Sequence, residues 1–480
     1  MTRLVVGPFN RVEGDLEVTL DVAGGVVRSA RVNSPLFRGF ERILEGRDPL
    51  DALVFVPRIC GICSVSQSSA AAQALASAAG VTPPPNGRIA ANLILAAENL
   101  ADHLTHFYLF FMPDFARDAY RDRRWHGHTH ARFRAVEGEA TRELLPARAA
   151  FLELMGFLAG RWPHTGSVQP GGTAQPVQAA QRLRMIARLT AFRNFLESTL
   201  FGDSLEAIDA LDGAAALDAW RGRGDRGDFR RFLAIAEDLD LARLGRATDC
   251  FVSAGNYPQA SGRHFAAGVY DGALHRFDPS AITEDLTSAW MSSPEAVEHP
   301  ARGTTEPDAD KPGAYTWCKA PRWNGRVVEA GAIARQVVDG HRLIRDLVAA
   351  QGGNVASRVV ARLLEIARVV PAMERWAREL VPGEPYCHSA PMPADAEAVG
   401  MVESARGTLG HWLTVRGGRI ERYQIVAPTT WNFSPRDRHG TPGALEQALV
   451  GTPVAPGERV PVAVQHVVRS FDPCMVCTVH

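Results

Sequence analysis

Arg58-Ile59-Cys60-Gly61-Ile62-Cys63 is the stretch of the 480-residue chain on which the reading of the fold turns. Two thiols three residues apart can face one ion, and Gly61 between them lets the backbone turn tightly. The same spacing returns in Asp472-Pro473-Cys474-Met475-Val476-Cys477. Four thiolates make a soft site, suited to zinc, an iron–sulfur cluster or nickel with iron. Paired zinc ligands usually lie ~15–20 residues apart, whereas Cys63 and Cys474 are 411 positions apart. A thioredoxin-type dithiol is expected before a helix, and only three residues follow Cys477. If both pairs serve one site, the two ends of the chain must meet. We therefore expect one interlocked unit over residues 1–480. Cys250, Cys318 and Cys387 stand alone, as small buried hydrophobes often do.

Working outward, Leu16, Val18 and Leu20 alternate with polar residues at the period of a half-buried strand. Gly24-Gly25 marks a hairpin turn, and residues 26–32 read as the return strand. Ser64 to Gly80 is Ala-rich and reads as a helix closed by its glycine. Helical patterns follow at about 88–112, 138–159, 176–210 and 328–380. Residues 212–230 and 292–325 read as loops, and a second hairpin is expected around Gly417-Gly418. The expected fold is mainly α, a large helical-bundle core with small antiparallel β hairpins near both ends.

The chain carries 52 basic and 53 acidic residues, a formal net charge of -1. That balance argues against nucleic acid, whose phosphates demand a basic excess. No apolar run approaches the ~18 residues of a membrane span. Residues 1–8 lack the long apolar stretch of a signal peptide, which favours the cytoplasm, with export alongside a partner left open.

Further stretches carry a family resemblance. They are Arg11-Val12-Glu13-Gly14, Arg38-Gly39-Phe40-Glu41, Glu403-Ser-Ala-Arg406-Gly407 with Gly410-His411-Trp412, and Pro428-Thr-Thr-Trp431-Asn432. With the two cysteine pairs and the closing Cys477-Thr-Val-His480, they resemble the large subunit of a nickel–iron hydrogenase, most of all its hydrogen-sensing members. The resemblance implies that fold, and a centre of nickel and an iron carrying carbon monoxide and cyanide, Ni-Fe(CO)(CN)2. It implies that Cys60, Cys63, Cys474 and Cys477 bind nickel, with Cys63 and Cys477 bridging to iron.

The same resemblance assigns the surroundings. Arg406 would hang its guanidinium over the metals, although Ala405 stands where the family commonly has proline. Thr430 would donate a hydrogen bond to a cyanide. Asp472 and Asp114 would be the acidic residues near the metals. His103, Phe107, Phe110 and Asp114 are spaced to share one helix face, kinked at its end by Pro113. Glu13 would take a proton from Cys477. Glu41, His480 and the Val426 carbonyl would hold a second metal, magnesium, with Gln424 on one of its waters. His164 would approach the partner's cluster, whereas His126, His128 and His130 read as an exposed segment. Ile62 and Phe110 are bulkier than the family's usual valine and leucine. They would narrow a gas channel in favour of dihydrogen over dioxygen, which suits a sensor.

The expected function is heterolytic cleavage or formation of dihydrogen, serving as a hydrogen sensor. The expected partners are an iron–sulfur small subunit and, for a sensor, a signalling kinase. A catalytic uptake hydrogenase is the alternative within this chemistry. A non-catalytic protein stapled by a four-cysteine zinc site is the alternative outside it.

Overall fold

A computed structural model describes residues 2–292, 295 and 297–480. The chain opens on an antiparallel meander of β1 (Thr2–Val6), β2 (Glu17–Ala23) and β3 (Val26–Asn33). Val18 and Leu20 of β2 and Val27, Ala30 and Val32 of β3 are fully buried. Gly24 and Gly25 turn the hairpin at φ +62° and +73°, a conformation that side chains resist.

Helix α1 (Ser64–Ala79) starts at Cys63 and ends on Gly80 at φ +65°. Helix α2 (Pro85–Thr105) packs on α3 (Glu139–Ala159), and α3 on α4 (Ala179–Phe195). The long α5 (Val355–Glu379) lies against both α2 and α4, and these helices share one continuous apolar core. A second meander of β4 (Ala396–Ser404), β5 (Gly407–Arg416) and β6 (Arg419–Val426) lies on α1. All of β5 but its last residue is buried. The helix α6 (Val462–Ser470) leads into the last cysteine pair.

The two ends are joined by hydrogen bonds. The Val27 amide donates to Thr452 O at 3.0 Å, and the Gly451 amide returns to Val27 O at 2.8 Å. The Val32 amide reaches the Glu446 carboxylate at 3.1 Å, and the Phe40 amide reaches His480 O at 3.3 Å.

Four expectations need correcting. Helix makes up 46% of the structure and strand 18%, so "mainly α" overstates the helices. Strands also occur mid-chain, at Phe251–Ser253, Gly268–Tyr270, Ile282–Asp285 and Ala320–Trp323. Runs of three or four residues are too short to show a period of two. Residues 212–230 are not loop: Ala214–Gly222 and Asp228–Asp238 are helices, burying Leu217, Trp220, Phe229 and Phe232. The surrounding glycines there mark helix ends. The three-histidine segment is also helical, His126–Phe133, with His126 buried and His128 exposed against Arg231.

Candidate metal centre

Cys60 is extended at the end of a short 3₁₀ turn, and Cys63 sits at the start of α1. Cys474 follows Asp472 and Pro473, and Cys477 lies in the short helix Met475–Thr478. The two loops are stitched together before their sulfurs meet. Glu13 pairs with Cys474 as parallel strands do; its amide donates to Pro473 O at 3.3 Å, and its carbonyl accepts from the Met475 amide at 2.7 Å. Gly14, at φ +79°, sits in a conformation that side chains resist, and a Cβ there would press on Val476 Cγ1 at 3.0 Å. The Arg38 guanidinium donates to Ile59 O at 2.6 Å and also to Val476 O, bridging both loops.

The result is four buried sulfurs within 4.8 Å of one another. Cys63 Sγ is 3.0 Å from Cys477 Sγ, Cys474 Sγ is 3.1 Å from Cys477 Sγ, and Cys60 Sγ is 3.5 Å from Cys474 Sγ. The Ile62 amide points at Cys60 Sγ from 3.3 Å, and Thr429 Oγ1 accepts from the Cys474 amide at 3.2 Å. Hydrogen bonds from the other thiols, Cys474 first, hold Cys60 well below the ordinary thiol pKa, and Arg406 adds to the pull.

Arg406 is 3% exposed. Its Nε donates to Asp472 O at 2.9 Å, and its Nη2 donates to Asp102 Oδ1 and Asp472 Oδ1, both at 3.1 Å. Nη1 lies 2.8 Å from Asp102 Oδ2 yet makes no hydrogen bond of proper geometry. The fields of Cys474 and Cys63 help keep this guanidinium charged. Burial pushes Asp102 up to about 8, whereas Arg406 and His106 outweigh burial at Asp472 and hold it below the usual carboxylate range. Asp472 adopts φ +56°, a conformation uncommon outside glycine.

Asp114 is not in this group, which corrects the expectation drawn from the helix stripe. It pairs with Arg11, with Arg469 at 2.6 Å and with His466 at 3.4 Å. The cause is a π-helical segment, His106–Phe111, succeeded by a 3₁₀ turn, Met112–Ala116. Each added residue rotates the downstream chain by about 100°, so the four-three-four spacing does not hold one face. Phe110 consequently stays half-buried, its carbonyl accepting from Arg11 at 3.1 Å, and the stripe no longer ties it to the thiols. Asp102, the residue sequence reasoning missed, is a buried charge in an otherwise Ala/Leu-rich helix; that mismatch was the available signal.

Glu13 is half-buried, and burial followed by the field of Cys60 raises its pKa. Thr430 Oγ1 donates to Thr478 O at 3.2 Å, which puts its hydroxyl beside the last cysteine turn. His164 Nδ1 lies 2.9 Å from Pro57 O, at the edge of the first cysteine loop.

A second cluster surrounds Glu41. Its Oε1 is 3.1 Å from His480 Nε2 and accepts from the Ile425 amide at 2.8 Å. Val426, next to Ile425, ends β6 and is fully buried. The sequence reading missed Lys319, whose ammonium contacts Glu41 at 3.0 Å, Gln424 at 2.6 Å and Glu284 at 3.7 Å. Despite burial, Lys319 and His480 hold Glu41 far below the usual carboxylate range. Burial raises Glu284 to about 7. A cavity of about 10 Å³ adjoins Glu41, Glu284, Lys319 and His480, the space of about one water-sized probe.

Four buried thiols facing a charged guanidinium held by two aspartates define a soft-metal redox protein. The nickel-dependent hydrogenase profile matches residues 38–118 and 142–480, and the chain belongs to that family. It is 31% identical to the periplasmic [NiFeSe] hydrogenase large subunit of Desulfomicrobium baculatum, across 100% of this chain and 95% of that one. It is 27% identical to the hydrogenase-2 large chain of Escherichia coli K12, across 100% and 97%. The Ni-Fe-Se hydrogenase structure from D. vulgaris Hildenborough superposes with a TM-score of 0.85, at 31% identity and complete coverage of both chains. The chain is thus the large subunit of a nickel-dependent hydrogenase, and its four clustered cysteines imply a nickel–iron centre. No helix among the described residues is long and apolar enough to cross a membrane.

Proposed function

We propose that this chain cleaves dihydrogen heterolytically at a nickel–iron centre held by Cys60, Cys63, Cys474 and Cys477. The observation that carries the reading is the Arg406 guanidinium, fixed by Asp102 and Asp472 beside four converged thiols. When bound, the nickel–iron group supplies electrophilic polarisation and two-electron redox chemistry. The chain supplies the rest. Arg406 offers positive charge at the reacting position from a buried, preorganised setting. Cys477 Sγ would take the proton released when dihydrogen is split and pass it to the Glu13 carboxylate, whose raised pKa suits a relay. Thr430, whose hydroxyl donates to Thr478 O in this structure, would redirect that hydroxyl to a cyanide on the iron, and carbon monoxide would complete the iron's ligands.

Glu41, His480 Nε2 and the Val426 carbonyl would hold magnesium, with Gln424 and Lys319 ordering its surroundings. Electrons leave through an iron–sulfur small subunit, because Cys250, Cys318 and Cys387 are too scattered to hold a cluster. The hydrogen-sensing role, with its kinase partner, rests on Ile62 alone: its amide lies 3.3 Å from Cys60 Sγ, and its side chain would narrow gas access there. Catalytic uptake has the wider support: the uptake hydrogenase large subunit of Bradyrhizobium diazoefficiens is 27% identical across the whole chain.

Metal analysis with infrared spectroscopy tests the reading. One nickel and one iron per chain, with bands from metal-bound carbon monoxide and cyanide, are expected. Zinc alone would sink it. Rapid dihydrogen turnover in solution favours uptake; very slow turnover that Ile62→Val accelerates favours the sensor.

A further inference from the structure

Helix α1 begins at Ser64, so Cys63 occupies the position whose side chain ordinarily accepts the helix's first free N–H groups. Serine, threonine, aspartate and asparagine fill that position because their oxygens reach the amides of the second and third helical residues. The Cys63 side chain makes no such bond. Its sulfur is turned to Cys477 instead, 3.0 Å away.

Those two amides are satisfied from elsewhere. Glu98, on α2, is 1% exposed. Its Oε2 accepts from the Val65 amide at 2.8 Å, and its Oε1 accepts from the Ser66 amide at 2.9 Å. The Ser66 hydroxyl at 3.0 Å, the Ser64 hydroxyl at 3.3 Å and Trp162 Nε1 at 2.9 Å complete the set. Five donors converge on two oxygens, the pattern of a carboxylate that accepts on both. A negative group here also meets the positive end of the α1 dipole.

We propose that Glu98 is a positioning residue for the metal centre: a cap lent by α2 to α1, which frees the Cys63 sulfur from capping its own helix and fixes where it points. The inference rests on the reading of Cys63 as a metal ligand. Two further contacts give the cap its reach. Ser64 Oγ also accepts from the His164 amide at 3.3 Å, tying the 162–164 loop to the same turn. Asp102 lies four residues beyond Glu98 on α2 and pairs with Arg406. One helix face thereby orients both a ligand and the guanidinium beside it.

Glu98→Gln in the holoenzyme tests this, since it places an amide –NH₂ where donors converge. The readouts are amide hydrogen exchange across residues 64–79 and the nickel paramagnetic spectrum. About tenfold faster exchange in the first turn is expected, with a shifted nickel signal at retained metal content. Glu98→Asp, which keeps the charge on a shorter reach, should shift the nickel signal less. Glu446→Gln is the control: that carboxylate is equally buried and accepts from the Val32 amide and the Tyr315 hydroxyl. It should lower stability and move neither readout. An unmoved nickel signal in Glu98→Gln overturns the proposal, whatever the exchange does. If Glu98→Gln does not accumulate, Glu98→Asp carries the test, and both readouts unmoved there overturn it. Zinc alone in the unmodified protein overturns the metal reading itself, and amide exchange still reports on the cap.

Discussion

Glu13 is placed by its backbone: a carbonyl and an amide pair with the Pro473–Met475 segment, and the side chain is carried with them. Replacing the carboxylate should therefore leave the stitching intact. Glu13→Gln is expected to retain both metals while slowing hydrogen–deuterium exchange about a hundredfold, the lower end of what a positioned proton acceptor contributes. Unchanged exchange would remove Glu13 from the proton route. The two aspartates of α2 and its continuation make a matched pair. Asp102→Asn takes from Arg406 a buried carboxyl whose hydrogen bond to the charged guanidinium is worth about 1.5–3 kcal/mol. It should lower both stability and turnover per nickel. Asp114→Asn breaks pairs with Arg11, Arg469 and His466, none of them a metal ligand. It should lower stability by about 3–5 kcal/mol, as a broken buried ion pair does, and leave turnover per nickel unchanged. Equal losses of turnover in both variants would reject the assignment of Asp102 to the site.

At the scale of elements, the helix after the first cysteine pair was legible because Gly80 closes it and small residues fill it. The second hairpin was legible from Gly417-Gly418. The π-turn at 106–111 was not, because it is a hydrogen-bond shift that ordinary helix-forming residues accommodate; every face assignment beyond it went astray, Asp114 included. Lys319 was also passed over, as one of only two lysines, because nothing local marks it as buried. The contact between β4 and α1 is similarly invisible in sequence and severe in structure. A Cβ on Gly400 would fall 1.9 Å from Ala70 O and 2.6 Å from the Ala74 amide nitrogen. Both atoms are helix backbone, which cannot step aside as a side chain can. Gly400→Ala should destabilise by about 3 kcal/mol, the upper range for overpacking, read as a lower denaturation midpoint. Since α1 starts at Cys63, metal content should fall with it. A variant as stable as the parent would show that the sheet can lift off the helix at little cost.

For the whole molecule, the metal centre closes a loop, joining Cys60 to a partner 414 positions away. A cross-link over such a length removes about 6 kcal/mol of chain entropy from the unfolded state, if it survives unfolding. A 480-residue chain has an unfolding entropy near 1 kcal/mol/K, so this term alone corresponds to roughly 6 °C in the melting temperature. Hydrogen bonds independent of the metals already join the ends, through Val27 with Thr452 and Val32 with Glu446. Metal removal should therefore lower the melting temperature by about 6 °C or more without dividing the transition. Calorimetry of the loaded and metal-free chains, with far- and near-ultraviolet dichroism followed together, measures both effects. Two transitions in the metal-free chain would mean that only the thiolates hold the ends together, and the single interlocked unit would fail. One transition at an unchanged temperature would mean that the sulfurs converge without help from the metals, leaving the centre a purely chemical role.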